Sequence, residues 1–144
     1  MDREDLGFLL AKATQHWNEL LQQRFRAAGW SEVRPSFGSI LVPLCEEDGL
    51  RIGELARRAR LSKQTTTTMV RLLEREGLVR RERDPDDGRA FRVVLTGKAR
   101  RFEPMADRTL NELAHLAEPR LGERRLASVK HALKEWIETS DTTL

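Results

Sequence analysis

The sequence contains a single cysteine, Cys45, so no disulfide can form within the chain. A lone thiol suits a reducing compartment, which predicts a cytoplasmic protein. Nine glycines and five prolines are too few for a low-complexity or collagen-like chain. No apolar run approaches the roughly 18 residues that a membrane-spanning helix needs, so no membrane contact is expected. These absences predict one globular domain, residues 1–144.

Motifs of the common enzyme classes are also missing. The sequence has no glycine-rich phosphate loop, no nucleophile elbow and no zinc-ligand spacing. Its histidines, His16, His115 and His131, are far apart, so no metal site is predicted. We therefore expect a protein that is not an enzyme and that uses no cofactor.

Positive charge is concentrated in the middle of the chain. Residues 51–101 hold 15 Lys and Arg against 7 Asp and Glu, whereas the rest holds 11 against 16. The centre therefore carries a net +8 and the ends −5, within a total of +3. A basic centre between acidic ends favours a polyanionic partner. Charge alone leaves open a solvated basic face with no partner.

Apolar spacing of three and four predicts a long first helix from Leu6 to about Ala28, with Gly29 as its stop. A shorter helix is expected after Pro35. Pro43 within it predicts a kink or an early end.

Two further helices are expected after Thr96, which we predict as a helix cap. Pro104 either kinks the first of them or delays its start, and a break is expected at Pro119 to Gly122. The terminal helices carry more apolar surface than a small central unit can cover. Residues 1–33 and 101–144 are therefore predicted to pack on each other and on a second copy, forming a homodimer.

The central residues predict a winged helix. Residues 51–59 and the run from Ser62 to Glu76 favour two short helices joined by a tight turn, with Ser62 as an N-cap. After Gly77, residues 78–83 and 90–95 are β-prone and flank a turn, which predicts a two-stranded hairpin wing. The fold class is mainly α, with residues 34–100 forming the winged helix-turn-helix lobe.

Three segments carry a resemblance to a known family: LSKQTTTTMVRLLEREGLVRR (61–81), DPDDGR (84–89) and VVLT (93–96). In this order they resemble the MarR family of bacterial transcription regulators. The resemblance implies a homodimer with interlocked terminal helices that binds palindromic double-stranded DNA, most often as a repressor.

The second helix of the lobe is the expected recognition helix, which enters a major groove about 12 Å wide. If Met69, Val70 and Leu73 face the core, polar side chains face outward. The predicted DNA-binding set is Ser62, Lys63, Gln64, Thr67, Thr68 and Arg71. The alternative for the threonine run is a core or capping role, which we favour for Thr65 and Thr66.

The wing turn ends in Arg89, a long planar cation suited to a narrow, electronegative minor groove. The resemblance implies that this arginine enters the groove and that Asp87 steadies its side chain. An exposed salt bridge of little consequence is the alternative. Phosphate contacts are expected from the strand arginines Arg80, Arg81, Arg83 and Arg92. Many relatives have arginine where this chain has Thr68 and Gly88, which leaves fewer cationic contacts here.

The resemblance also implies a small aromatic or phenolic effector in a cleft beside the terminal helices. Candidate pocket residues are His16, Trp17, Trp30, Phe37 and Ile40. The alternative is that the aromatic residues are core side chains.

Two other functions compete with a ligand-responsive DNA-binding regulator. Oxidation of Cys45 would make a redox sensor, but the acidic neighbours Glu46, Glu47 and Asp48 are expected to raise the thiol pKa. A winged helix can also serve as a protein-interaction module, which the basic centre argues against.

Overall fold

The computed structural model describes residues 1–139. Its elements are α1 (Leu6–Ala27), a 3₁₀ helix (Pro35–Phe37), α2 (Gly38–Glu46), β1 (Leu50–Arg51), α3 (Ile52–Ala59), α4 (Lys63–Arg75), β2 (Val79–Arg83), β3 (Phe91–Leu95), α5 (Gly97–Leu121) and α6 (Glu123–Glu138). Residues 140–144 of the predicted dimerisation segment lie outside the described residues.

The chain forms two compact units. The first, Met1–Asp107, contains every element from α1 to β3 and the beginning of α5. The second begins at Arg108 and contains the rest of α5 and α6. The predicted lobe, residues 34–100, lies wholly within the first unit. The dimerisation role of residues 1–33 and 101–144 stays a prediction.

A small antiparallel sheet, ordered β1–β3–β2, forms the wing and its base. Val79 pairs with Leu95 at the base, and Arg83 pairs with Phe91 near the tip. On the other edge of β3, Leu50 pairs with Val93. The predicted two-stranded hairpin is confirmed as β2 and β3, and β1 adds a third strand that the sequence analysis did not predict. A strand of two residues is too short to show an alternating pattern. Its pairing partner also lies far along the chain, so no local signal indicates it.

The core of the winged helix joins the helix-turn-helix to the sheet. Leu55 of α3, Val70 and Leu73 of α4, and Val93 of β3 are each at most 1% exposed. The α3 and α4 helices contact each other, and α4 also contacts β2. Burial of these side chains fixes the rotation of α4 and leaves its opposite face in solvent.

Helix boundaries agree closely with the sequence pattern. The first helix ends at Ala27, and Gly29 follows in the left-handed region with φ +86°. The fourth ends at Arg75, and Gly77 has φ +73°, a conformation that glycine adopts without steric cost. Thr96 caps α5 through its Oγ1, which accepts from the Ala99 N–H at 3.3 Å.

Prolines interrupt the helices less than expected. The α2 helix continues through Pro43 to Glu46, and α5 begins before Pro104 and continues through Pro119 to Leu121. The break expected at Pro119 to Gly122 is thus confined to Gly122. Each proline leaves a carbonyl four residues earlier without an N–H donor. Those carbonyls belong to exposed residues, where water can supply the hydrogen bond: Ser39, Arg100 and His115.

An aromatic cluster closes the core of the first unit on the α5 side. The Phe102 ring makes edge contacts with Phe25 at 5.0 Å and with Trp30 at 5.2 Å between centroids. Phe37 and Ile40 are also buried, at 2% and 0% exposure. Both are core residues, which for Phe37 is the alternative that the sequence left open.

Truncating Leu73 tests the packing that orients α4. Leu73→Ala should lower the free energy of unfolding by about 2–5 kcal/mol, because a fully buried side chain leaves a cavity. Val42→Ala, at an exposed apolar residue of the same unit, should cost less than about 1 kcal/mol. Urea unfolding at one fixed protein concentration measures both. Equal losses in the two variants would contradict the assigned core.

Candidate nucleic-acid interface

The turn between α3 and α4 is closed by backbone geometry and by a cap. Arg60 is left-handed, with φ 54°, and the Leu61 N–H donates to the Ala56 carbonyl at 3.0 Å. Ser62 then begins α4, and its Oγ accepts from the Thr65 N–H at 3.0 Å. The predicted N-cap is confirmed. Such a cap satisfies one of the unpaired N–H groups at a helix start.

The recognition helix has a buried face and an exposed polar face. Thr66, Val70 and Leu73 are buried, and Met69 and Thr67 are half-buried. The other predicted DNA-binding residues of this helix and its cap are exposed: Ser62, Lys63, Gln64, Thr68 and Arg71. The structure therefore brings the predicted set onto one accessible surface.

Hydroxyl hydrogen bonds separate the roles of the four threonines. Thr66 is fully buried, and its hydroxyl donates to the Ser62 carbonyl at 2.8 Å. Thr65 is exposed, and its Oγ1 accepts from the Ser62 hydroxyl at 2.9 Å. The Thr68 hydroxyl donates to the Gln64 carbonyl at 3.1 Å, which leaves its methyl group and oxygen lone pairs for another contact. A core or capping role thus suits Thr65 and Thr66, whereas Thr67 and Thr68 reach the surface.

The wing is attached at its base by Asp84, a buried carboxylate at the end of β2. Its Oδ2 accepts from Arg51 Nε at 2.7 Å, and its Oδ1 accepts from the Asp86 N–H at 2.8 Å. These hydrogen bonds hold the pKa of Asp84 below its ordinary value, with the Arg51 contact the larger cause. Neither Arg51 nor Asp84 was predicted as a site residue, because the contact joins positions 33 residues apart.

At the wing tip, Asp87 contacts the backbone before Arg89. Its Oδ1 accepts from the Arg89 N–H at 3.0 Å, whereas the expected contact was with the Arg89 side chain. Among residues 1–139, the Arg89 guanidinium has no hydrogen-bond or ion-pair partner, and the residue is exposed. The tip arginine is thus available to an external anion.

The strand arginines differ in the ion pairs and hydrogen bonds that they form within the chain. Arg80 pairs with Glu82 at 2.8 Å, and Arg81 pairs with Glu74 at 3.2 Å. Arg83 donates to the Gly88 carbonyl at 2.7 Å. The Arg92 Nε is buried and has no hydrogen-bond partner within residues 1–139, while its Nη2 lies 4.0 Å from Glu82. Phosphate contacts from these four residues stay predictions.

The effector candidates differ in exposure. His16 is exposed, Trp17 and Trp30 are half-buried, and Phe37 and Ile40 are core residues. A cleft of about 280 Å³ does lie between α4 and the wing. Its lining includes Arg51, Thr67, Arg71, Arg81 and Phe91, none of which belongs to the candidate pocket set.

Cys45 lies in an environment that disfavours its thiolate. Partial burial and the carboxylates of Glu103 and Asp107 raise the pKa of the Cys45 thiol to about 11. The sequence neighbours were expected to cause this shift, but the carboxylates responsible come from α5. A protonated thiol is a poor nucleophile, which argues against redox sensing.

Residues 1–139 show neither a metal-binding cluster nor a membrane-spanning helix. No group of three His, Cys, Asp or Glu side chains is placed to hold a metal ion in this part of the chain. None of its helices has the length and apolarity needed to cross a membrane.

The geometry defines the class: a winged helix-turn-helix protein with an exposed recognition face and an arginine at the wing tip. The MarR family model matches residues 35–91, from the 3₁₀ helix to the start of β3. The match confirms the resemblance of this segment to the MarR family.

Known proteins extend this similarity. The HTH-type transcriptional regulator TtmR of Methylorubrum extorquens is 34% identical over 99 residues, covering 65% of this chain and 51% of TtmR. The match therefore spans about half the length of that relative. A probable transcriptional regulator from Pseudomonas aeruginosa has a TM-score of 0.81 at 25% identity, covering 92% of this chain and 97% of its own.

A third comparison shows the fold alone. Bordetella bronchiseptica BpsR, whose DNA binding is regulated by 6-hydroxynicotinic acid, has a TM-score of 0.82 at 17% identity. It covers 97% of this chain and 98% of its own. TtmR is a transcriptional regulator and the Pseudomonas aeruginosa protein is described as a probable one, a class distinct from enzymes.

The low pKa of Asp84 leads to a pH-dependent prediction. Asp84→Asn should destabilise the protein at pH 7, because it removes a carboxylate whose charge is stabilised by Arg51. A lowered pKa stabilises the fold above the unfolded-state value of about 3.9. That stabilisation is lost as the pH falls through the lower folded-state pKa, so the difference between variant and parent should shrink there.

Urea unfolding between pH 7 and pH 2 measures this difference. Asp86→Asn makes the same charge change at an exposed turn residue and serves as the matched control. A destabilisation by Asp84→Asn that stays constant over the whole range would contradict the ionic role of Asp84.

Proposed function

We propose that this protein is a ligand-responsive transcriptional repressor that binds palindromic duplex DNA as a homodimer. One observation carries the proposal: α4 exposes Gln64, Thr68 and Arg71 on a face next to a wing whose tip arginine has no partner within residues 1–139. A helix of this kind fits the major groove, and the wing then reaches the adjacent minor groove.

Each exposed residue type has a chemical role toward DNA. Glutamine can pair bidentately with adenine, arginine can pair with guanine, and a threonine methyl can contact the thymine methyl. Arg89 supplies a cation to the narrow minor groove. Phosphate contacts from Arg80, Arg81 and Arg92 would set position without reading sequence.

Dimerisation is supported by an exposed apolar stripe on α6. Val129, Leu133, Trp136 and Ile137 follow helical spacing and are each at least 38% exposed. A stripe of this size on one helix face favours association, and a symmetric pair of lobes would match a palindrome. The two recognition helices would then sit about 34–36 Å apart, one turn of the double helix.

The proposal includes a response to a small aromatic ligand. Its support is the fold shared with BpsR and the accessible positions of His16, Trp17 and Trp30 on one unit. Binding of a small aromatic molecule to one conformation would shift the population away from the one that fits both grooves. A bound dimer would block polymerase, and the shifted dimer would release the DNA.

Arg89→Ala tests the DNA-binding function. DNA fragments selected by the purified protein from its own genome supply the operator, and a titration at several salt concentrations gives affinity and salt slope. The variant should bind at least about tenfold more weakly and with a slope lower by about 1, because one groove cation is lost. Arg26→Ala removes one charge outside the basic centre and should change affinity by less than about twofold.

Equal operator affinity of Arg89→Ala and the parent would refute the minor-groove role. Failure of the parent protein to select any duplex DNA at low salt would refute the function itself and favour a protein-interaction module.

Leu133→Asp tests the homodimer. A charge in the middle of the α6 stripe should be expelled from an apolar interface and convert the protein to monomers, since burying an unpaired carboxylate is costly. His131→Asp introduces the same residue on the opposite side of α6 and should remain dimeric. Sedimentation velocity measures both. A monomeric parent protein, or a dimeric Leu133→Asp, would contradict the assigned interface.

A further inference from the structure

We propose that Arg83 is a positioning residue for Arg89, and not a phosphate contact. In this role it holds the peptide group between Gly88 and Arg89, and so directs the Arg89 side chain outward from the wing tip. The inference rests on the proposed DNA-binding function.

Two side chains hold this peptide group at its two polar atoms. Arg83 Nη1 donates to the Gly88 carbonyl oxygen at 2.7 Å. On the other side, Asp87 Oδ1 accepts from the Arg89 N–H at 3.0 Å. With both atoms engaged, the plane of the peptide is fixed, and the position of the Arg89 Cα is fixed with it. The Ala90 N–H, which donates to the Asp87 carbonyl at 3.0 Å, restrains the peptide group that follows Arg89.

The Arg83 side chain is itself held in place. Arg83 is the last residue of β2 and pairs across the hairpin with Phe91. Its guanidinium lies 5.5 Å from the Phe91 ring centroid, within the range of a cation–π contact. The contact orients the planar fork so that one N–H reaches the tip carbonyl.

Side-chain packing does not hold the backbone at the wing tip. Gly88 has no side chain, and a Cβ placed there would meet no atom within 4 Å, so packing does not restrain it. Glycine is also the residue with the widest backbone freedom. Backbone hydrogen bonds close the turn, from the Asp84 N–H to the Ala90 carbonyl at 2.9 Å and from the Ala90 N–H to the Asp87 carbonyl at 3.0 Å. The peptide group between Gly88 and Arg89 lies inside the second of these, and its own polar atoms are held by the side chains of Arg83 and Asp87.

A positioning residue and a phosphate contact differ in a measurable way. A phosphate contact adds to affinity independently of Arg89 and contributes about one unit of salt slope. A positioning residue matters only while Arg89 is present, because its effect passes through that side chain. A double-mutant cycle separates the two cases.

The experiment compares operator binding by Arg83→Met, Arg89→Ala and the double variant, each checked for folding by circular dichroism. Alone, Arg83→Met should weaken binding about tenfold, since a hydrogen bond from a charged group is lost. In the Arg89→Ala background it should cause less than about a twofold further loss. Arg80→Met, on the same strand, should have the same effect in both backgrounds.

Additive losses in the cycle would overturn the inference. Full operator affinity of Arg83→Lys would also overturn it, since lysine keeps the charge but lacks the planar fork.

A second measurement needs no DNA. The backbone order parameter of the Arg89 amide should fall from a rigid value of about 0.85 toward 0.6 in Arg83→Met, and it should stay unchanged in Arg80→Met. An unchanged value in Arg83→Met would overturn the positioning role. If the parent protein failed to bind DNA while the order parameter fell as expected, the proposed function would fail and the tip geometry would stand.

Discussion

Burial of one face of α4 is the constraint on which the candidate interface depends. Val70 and Leu73 pack into the core, and Thr66 joins them only because its hydroxyl donates to the Ser62 carbonyl. A buried hydroxyl without that hydrogen bond would be costly. Once these three side chains face inward, helical geometry leaves Gln64, Thr68 and Arg71 facing solvent, and no further interaction is needed to present them.

The wing depends on a second, longer-range interaction. Asp84 is buried at the end of β2, where it accepts from Arg51 on the edge strand and from the turn backbone at Asp86. The carboxylate thereby joins β1, β2 and the turn. Asp84 thus stabilises the base of the wing. The direction of the tip depends on different interactions, the hydrogen bonds around Gly88.

Local charge counts overstate how many cations this surface offers. Several arginines of the basic centre are committed to carboxylates within the chain: Arg51, Arg57, Arg58, Arg80 and Arg81. Within residues 1–139, Arg71 and Arg89 have no such partner. The net +8 therefore describes the field that attracts a polyanion, whereas the unpaired arginines define where specific contact can occur.

Most of the architecture was predictable because it depends on neighbours close in sequence. Apolar spacing, the Ser62 cap and the glycine at 77 indicated α1, α4 and the wing to within about two residues, the usual uncertainty of helix ends. The predicted recognition face was also local, since the inward residues of one helix determine its outward ones.

Tertiary structure alone decided the features that depend on distant segments. The β1 strand exists because Leu50 pairs with Val93, and the pKa of Cys45 is raised by partial burial and by carboxylates of α5. Phe37 and Ile40 are core residues for the same kind of reason. Periodicity and capping act over about one helical turn, whereas burial and ion pairing are set by whichever segments the fold brings together.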